Sequence, residues 1–168
     1  MKFDGFRVAV VRTPSGARLW SRRGTGLTSA FPDLAAVADS YLGVGTVLDG
    51  EAVVWVDGRL SFDHLQRRLA RRATRAGPKG PPASYVAFDV LALDGQDQRG
   101  LPYTARRELL DDLGVTDRHW QVPRFYLGGG EAVAGASRQH GLPGVVAKRA
   151  GSPYRPGDRS GDWVLIEN

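Results

Sequence analysis

The chain has 168 residues, 42% hydrophobic and 24% charged, a composition that suits one globular domain and argues against a disordered chain. No apolar run approaches the ~20 residues needed to span a bilayer, and no basic-then-apolar leader opens the chain, so a cytoplasmic protein with no membrane partner is expected. With no cysteine there are no disulfides or thiolate centres, and the net charge of +5 admits an anionic partner such as nucleic acid.

Phe6 to Val11 reads as a strand, and Ala17 to Ser21 as its hairpin partner across a Thr-Pro-Ser-Gly turn. Helical spacing runs from Phe31 to Leu42, with Leu34, Val37, Ala38 and Leu42 on one face. Thr46 to Val56 is a long strand ended by Asp57-Gly58, and Ser61 caps a helix carrying Phe62, Leu65 and Leu69. Arg67 to Pro82 is basic and rich in Gly and Pro, a helix end running into an exposed loop. Tyr85 to Leu93 is an apolar strand closed by Asp94-Gly95, and Thr104 caps a helix over Ala105 to Leu113. Trp120 to Tyr126, Gly144 to Arg149 and Asp162 to Glu167 complete the strands, with a helix near Glu131 to His140. Hairpin-linked strands mixed with helices predict an α+β fold rather than a doubly wound parallel sheet.

Arginine supplies nearly all the basic charge; the lysines are Lys2, Lys79 and Lys148. A lysine amine can lose its proton and attack, which a guanidinium effectively cannot. At an ordinary pKa near 10.4 only roughly one lysine in two thousand is neutral at pH 7, and nearby positive charge raises that fraction. Lys2-Phe3-Asp4-Gly5-Phe6-Arg7 therefore offers a nucleophile with a phosphate-binding arginine returning beside it, although Lys-x-Asp-Gly by itself is also a common turn. Arg22 and Arg23 end a strand and suit phosphate or ribose recognition, or equally a solvated face. Asp49-Gly50-Glu51 breaks an apolar strand, so Glu51 needs a ribose hydroxyl, a magnesium ion or a basic group, or else sits at a bulge pointing outward.

Phe88 and Asp89 are adjacent on a buried strand, and simple alternation points them to opposite faces. A base could stack on Phe88, and a core phenylalanine would look the same locally. Lys148 ends the apolar run Gly144-Val145-Val146-Ala147 and can approach a phosphate as a point charge, or simply mark the strand's end.

In order along the chain, these segments resemble the nucleotidyltransferase motifs of ATP-dependent DNA ligases, particularly the bacterial repair type. Lys2 to Arg7 is similar to the adenylation motif, Ser21 to Gly24 to the next, Asp49-Gly50-Glu51 to the third, and Phe88-Asp89-Val90 to the aromatic motif. Gly144 to Lys148 with the Ser152-Pro-Tyr-Arg-Pro-Gly loop resembles the fourth, and Asp162-Trp163 opens the fifth. The resemblance implies two mainly antiparallel sheets with flanking helices, an ATP-grasp-like adenylation domain over 1–168. It implies ATP and Mg2+ as cofactors and nicked duplex DNA as partner. Lys2 would be adenylated; Arg7, Arg22, Glu51, Phe88 and Lys148 would bind nucleotide, and Glu51 and Asp89 would hold metal.

Four departures accompany the resemblance. Pro143 stands where the family carries a glutamate, Leu165 and Glu167 where it carries lysines, and only Met1 precedes Lys2. The chain also stops where an OB-fold domain begins in a complete ligase, so that domain or another repair protein in trans is an expected partner. The competing expectations are a decayed relative that binds ATP or DNA weakly without chemistry, and a related enzyme acting on RNA ends.

Overall fold

The computed structural model describes residues 1–70, 79–157 and 160–168; part of the basic loop read from the sequence lies outside them. The larger sheet is built from β1 (Phe6–Thr13), β2 (Gly16–Ser21), β3 (Val47–Val56), β5 (Ala83–Leu93) and β6 (Gln96–Asp97) in the order β2-β1-β3-β5-β6. Two short strands flank it: β4 (Arg59–Leu60) on β3 and β7 (Trp120–Gln121) on β5. All its pairings are antiparallel except β5–β7. A second sheet pairs β8 (Gly144–Lys148) with β9 (Trp163–Glu167). With α1 (Pro32–Tyr41), α2 (Phe62–Ala70), α3 (Tyr103–Asp112) and α4 (Gly130–Gln139), the molecule has the α+β, two-sheet architecture expected.

Strand alternation decides what each face of the large sheet does. Val8 and Val10 of β1, Leu48 and Ala52 of β3, and Tyr85 and Ala87 of β5 point into the core with Leu34 and Ala38 of α1. Arg7 and Glu51 are cross-strand partners on the other face. The tight turns after β3 and β5 place Asp57 and Asp94 at φ 49°, followed by Gly58 at 75° and Gly95 at 77°. That is the left-handed pair a two-residue hairpin of matching twist requires.

Gly50 answers a different need. A Cβ there would lie 2.5 Å from the Tyr85 ring and from the Val86 carbonyl oxygen. The ring crosses this gap so that its hydroxyl can donate to the Val8 carbonyl at 3.0 Å, which satisfies a buried phenol.

Three sequence expectations are corrected. First, β5 carries a bulge: Asp49 faces Asp89 and Gly50 faces Ala87, leaving Phe88 as the extra residue. Phe88 and Asp89 therefore share the face carrying Asp49, instead of pointing to opposite sides. Second, α3 begins at Tyr103 with Pro102 at its cap, and Thr104 caps nothing; its amide donates to the Ala150 carbonyl at 3.2 Å. Third, the strand expected over Trp120 to Tyr126 ends at Gln121, just before Val122 and Pro123, the latter lacking an amide to continue the ladder.

Candidate active site

The non-core face of the large sheet, α3 and the small sheet enclose a cleft of about 680 Å³. Lys2, Arg7, Glu51, Phe88 and Lys148 all line it, five positions separated by up to 146 residues in sequence. Each is delivered by a distinct device. Lys2 is fastened by its backbone, whose amide donates to the Gly144 carbonyl at 2.7 Å in an isolated bridge to β8. Gly5, next to it, admits no side chain: a Cβ would stand 2.8 Å from the Ala52 carbonyl oxygen. Arg7 and Glu51 arrive as neighbours on β1 and β3, Phe88 at the bulge, and Lys148 at the end of β8.

Arg7 is held in place by Asp49. Its Nε donates to Asp49 Oδ1 at 2.9 Å and its Nη2 to Oδ2, while the Tyr154 hydroxyl donates to Oδ2 at 2.6 Å. Burial disfavours the Arg7 cation, but the bonds to Asp49 more than compensate and hold it charged. Its guanidinium carbon lies 5.2 Å from the centre of the Phe88 ring. Burial raises the pKa of Glu51, with Lys2 and Arg7 opposing the shift.

Lys148 is the unusual group. Its Nζ is buried and has no hydrogen-bond partner. Three rings surround it, with centroids at 3.7 Å for Trp163, 4.5 Å for Phe88 and 4.7 Å for Tyr103. The Asp89 carboxylate stands 4.0 Å away. An ammonium has three donors, and each bond it forgoes costs about 1.5–3 kcal/mol. A desolvated ring face returns roughly 0.5–2 kcal/mol. The loss outweighs the gain, and burial pushes the amine down to about 7, with Asp89 and Asp49 resisting.

Asp89 gives Lys148 little relief because it is already engaged. Arg106 donates to it twice, Nε to Oδ1 at 2.7 Å and Nη2 to Oδ2 at 3.1 Å, and both side chains are fully buried. Arg106 is in turn bound to the Leu101 and Ser152 carbonyls. Asp89, expected from the sequence as a metal ligand, is here the counter-ion of a buried arginine and is not among the residues lining the cleft. The adjoining Arg106-Arg107 pair carries no local sign of this in the sequence, since the partner lies 17 residues away.

Arg22 is the other departure. It lines a second cleft of about 580 Å³, with Ser21, Asp49, Tyr154, Arg155 and Asp162, and not the cleft of Lys2. Arg7 and Trp163 line both clefts and stand between them. Sequence reasoning also missed Arg107, Tyr103 and Trp163 as walls of the first cleft. Arg107 is held by the Pro123 carbonyl at 2.8 Å and by Asp111 at 3.1 Å.

The first cleft suits a nucleoside triphosphate: a volume of the right order, an aromatic face at Phe88, and cations at Arg7 and Lys148 with a donor wanting an acceptor. A magnesium ion commonly takes one or two carboxylates plus substrate phosphates, and Glu51 is the carboxylate lining the cleft among the described residues.

Comparison with known proteins agrees. The family described as ATP dependent DNA ligase domain matches residues 1–166. The multifunctional non-homologous end joining DNA repair protein LigD of Mycobacterium tuberculosis is 40% identical over 164 residues, 97% of this chain and 20% of LigD. The SPbeta prophage-derived DNA ligase-like protein LigB of Bacillus subtilis is 31% identical over 169 residues, 100% of this chain and 60% of LigB. The chain thus spans from a fifth to three fifths of these curated relatives. The structure of mycobacterial DNA ligase D complexed with ATP and MES superposes with a TM-score of 0.79 at 35% identity, covering 99% of this chain and 52% of that one. A matching profile across nearly the whole length, and a shared nucleotidyltransferase fold, make the chain a member of the ATP-dependent DNA ligase domain family.

Proposed function

We propose that this domain performs nucleotidyl transfer from ATP, with Lys2 as the residue that becomes adenylated. The observation that carries the reading is the convergence of Lys2, Arg7, Glu51, Phe88 and Lys148 on one cleft. The neutral Lys2 amine attacks the α-phosphorus of ATP; the N–P bond forms as the bond to the bridging oxygen breaks, and pyrophosphate leaves. Adenine stacks on Phe88, Glu51 takes the ribose or a Mg2+ ion, and Arg7 and Lys148 meet phosphate oxygens. When bound, Mg2+ would offset phosphate charge. Arg22, in the adjoining cleft, is read as a phosphate or ribose contact. That a related ligase domain holds ATP supports this assignment.

The AMP then passes to a 5′-phosphate at a nick in duplex DNA, whose 3′-hydroxyl displaces it to seal the strand in repair. The net charge of +5 suits that polymer. A further domain, such as an OB fold, or another repair protein would assist in holding the DNA. The test of the first step is intact mass after incubation with ATP and Mg2+. One added adenylate, absent in Lys2→Ala, is expected; a folded protein that gains none refutes it.

A second reading, a weak ATP- or DNA-binding module without chemistry, is favoured by β9. Trp163 to Glu167 offers no cation, and Leu165, 45% exposed, does not line the cleft. The same mass measurement separates the two.

A further inference from the structure

The wall between the two clefts is a tryptophan, and it sits on a buried amine of the first cleft that has no hydrogen-bond partner. Trp163 lies with its ring centre 3.7 Å from Lys148 Nζ, closer than either Phe88 or Tyr103. It is braced on its other sides by edge contacts to Phe88 at 6.2 Å and Tyr154 at 5.7 Å, and by the Arg7 guanidinium at 5.8 Å. Trp163 and Lys148 are directly paired at the end of the β8–β9 ladder, so the backbone register itself puts the ring over the amine. The Asp89 charge that could otherwise draw the amine downward is held by Arg106. Apart from the long 4.0 Å ion pair to Asp89, the lysine side chain is fixed by aromatic contact, leaving its hydrogen-bond donors for whatever enters the cleft.

We propose that Trp163 is a positioning residue, which holds the Lys148 amine at the cleft wall so that it meets a phosphate oxygen of the incoming nucleotide. The inference rests on the nucleotide reading above and adds to it a residue that touches no reacting atom. Trp163 acts through Lys148, so its contribution belongs to the phosphates and not to the nucleoside.

Binding of the α,β-methylene analogue of ATP and of adenosine is measured by calorimetry for the unmodified protein, Trp163→Leu, Trp163→Phe, Lys148→Met and the double variant Trp163→Leu/Lys148→Met. Lys148→Met is expected to weaken the analogue roughly 10- to 100-fold, the range for a lost bond to a charged group. Trp163→Leu should weaken it about tenfold and adenosine by less than about threefold, and should add nothing in the Lys148→Met background. Trp163→Phe, which keeps a ring, should recover most of the loss.

A second readout needs no ligand. In protein labelled with 13C-lysine, the three lysines give three ε-methylene signals, and that of Lys148 should be displaced upfield by the ring currents above it. The displacement should shrink in Trp163→Leu. The proposal is overturned if the Trp163→Leu loss persists without Lys148, if adenosine suffers as much as the analogue, or if all three lysine signals lie at ordinary positions. If the unmodified protein binds neither ligand, the nucleotide reading falls, and the lysine signals still decide whether Trp163 holds the amine.

Discussion

The two sheets solve opposite problems. In the large sheet the two buried aspartates and the buried phenol have their bonds made: Asp49 with Arg7 and Tyr154, Asp89 with Arg106, and the Tyr85 hydroxyl with a backbone carbonyl. The small sheet is two strands, with Val164, Leu165 and Ile166 each nearly half exposed, and its one buried cation has no hydrogen bond. The large sheet thus carries two aspartates whose bonds are made. The small sheet carries an amine whose bonds are not. Stability and reactivity are thus divided between the sheets, because a group whose bonds are all made has little left to offer a ligand.

That division can be broken most severely at Asp89. Asp89→Ala strands a buried guanidinium and should cost about 3–5 kcal/mol in urea unfolding. If the loss is below 1 kcal/mol, roughly the worth of a surface pair, the large sheet is not the rigid partner described. Gly50→Ala comes next: the new methyl meets the Tyr85 ring and the Val86 carbonyl, and an overpacking cost of about 1–3 kcal/mol is expected. Gly50→Ala with Tyr85→Phe should not restore stability, because it is the ring and the backbone that obstruct.

Lys148→Met sharpens the contrast from the other side. The folded pKa of Lys148 lies below its unfolded value, so unfolding takes up a proton between the two. The native lysine therefore costs stability at and below about pH 7, and the cost fades as pH rises toward the unfolded pKa near 10.4. The methionine variant should be the more stable protein at pH 7, by about 1–3 kcal/mol after allowing for the ring contacts, with the margin closing by pH 10. An equal margin at both pH values contradicts the assignment. Smallest in stability is Leu165→Lys on β9, expected within about 0.5 kcal/mol. It supplies a cation where the family carries one, so lysyl-adenylate should accumulate about tenfold faster by quenched-flow mass analysis; no change would mean the strand is not what limits the reaction.

What the sequence revealed follows the range of the forces involved. The Asp57-Gly58 and Asp94-Gly95 turns, the 3.6-residue spacing of α1 and the apolar strands are local and were legible residue by residue. The cleft residues were legible only as an ordered set, because Lys2 and Lys148 are brought together by tertiary structure. Three features were not legible. The bulge at Phe88 depends on β3 register, Arg106 on a partner in another element, and the early start of α3 on a carbonyl from the loop after β8. Each is a long-range choice that no window of neighbouring residues encodes.

The backbone bridge between Lys2 and Gly144 has a mechanical corollary. It yokes the two amines to a common support, since Lys148 is four residues along the strand that Gly144 begins. Lys2 and Lys148 are thereby tied through one strand, while Glu51 and Phe88 are delivered by the other sheet.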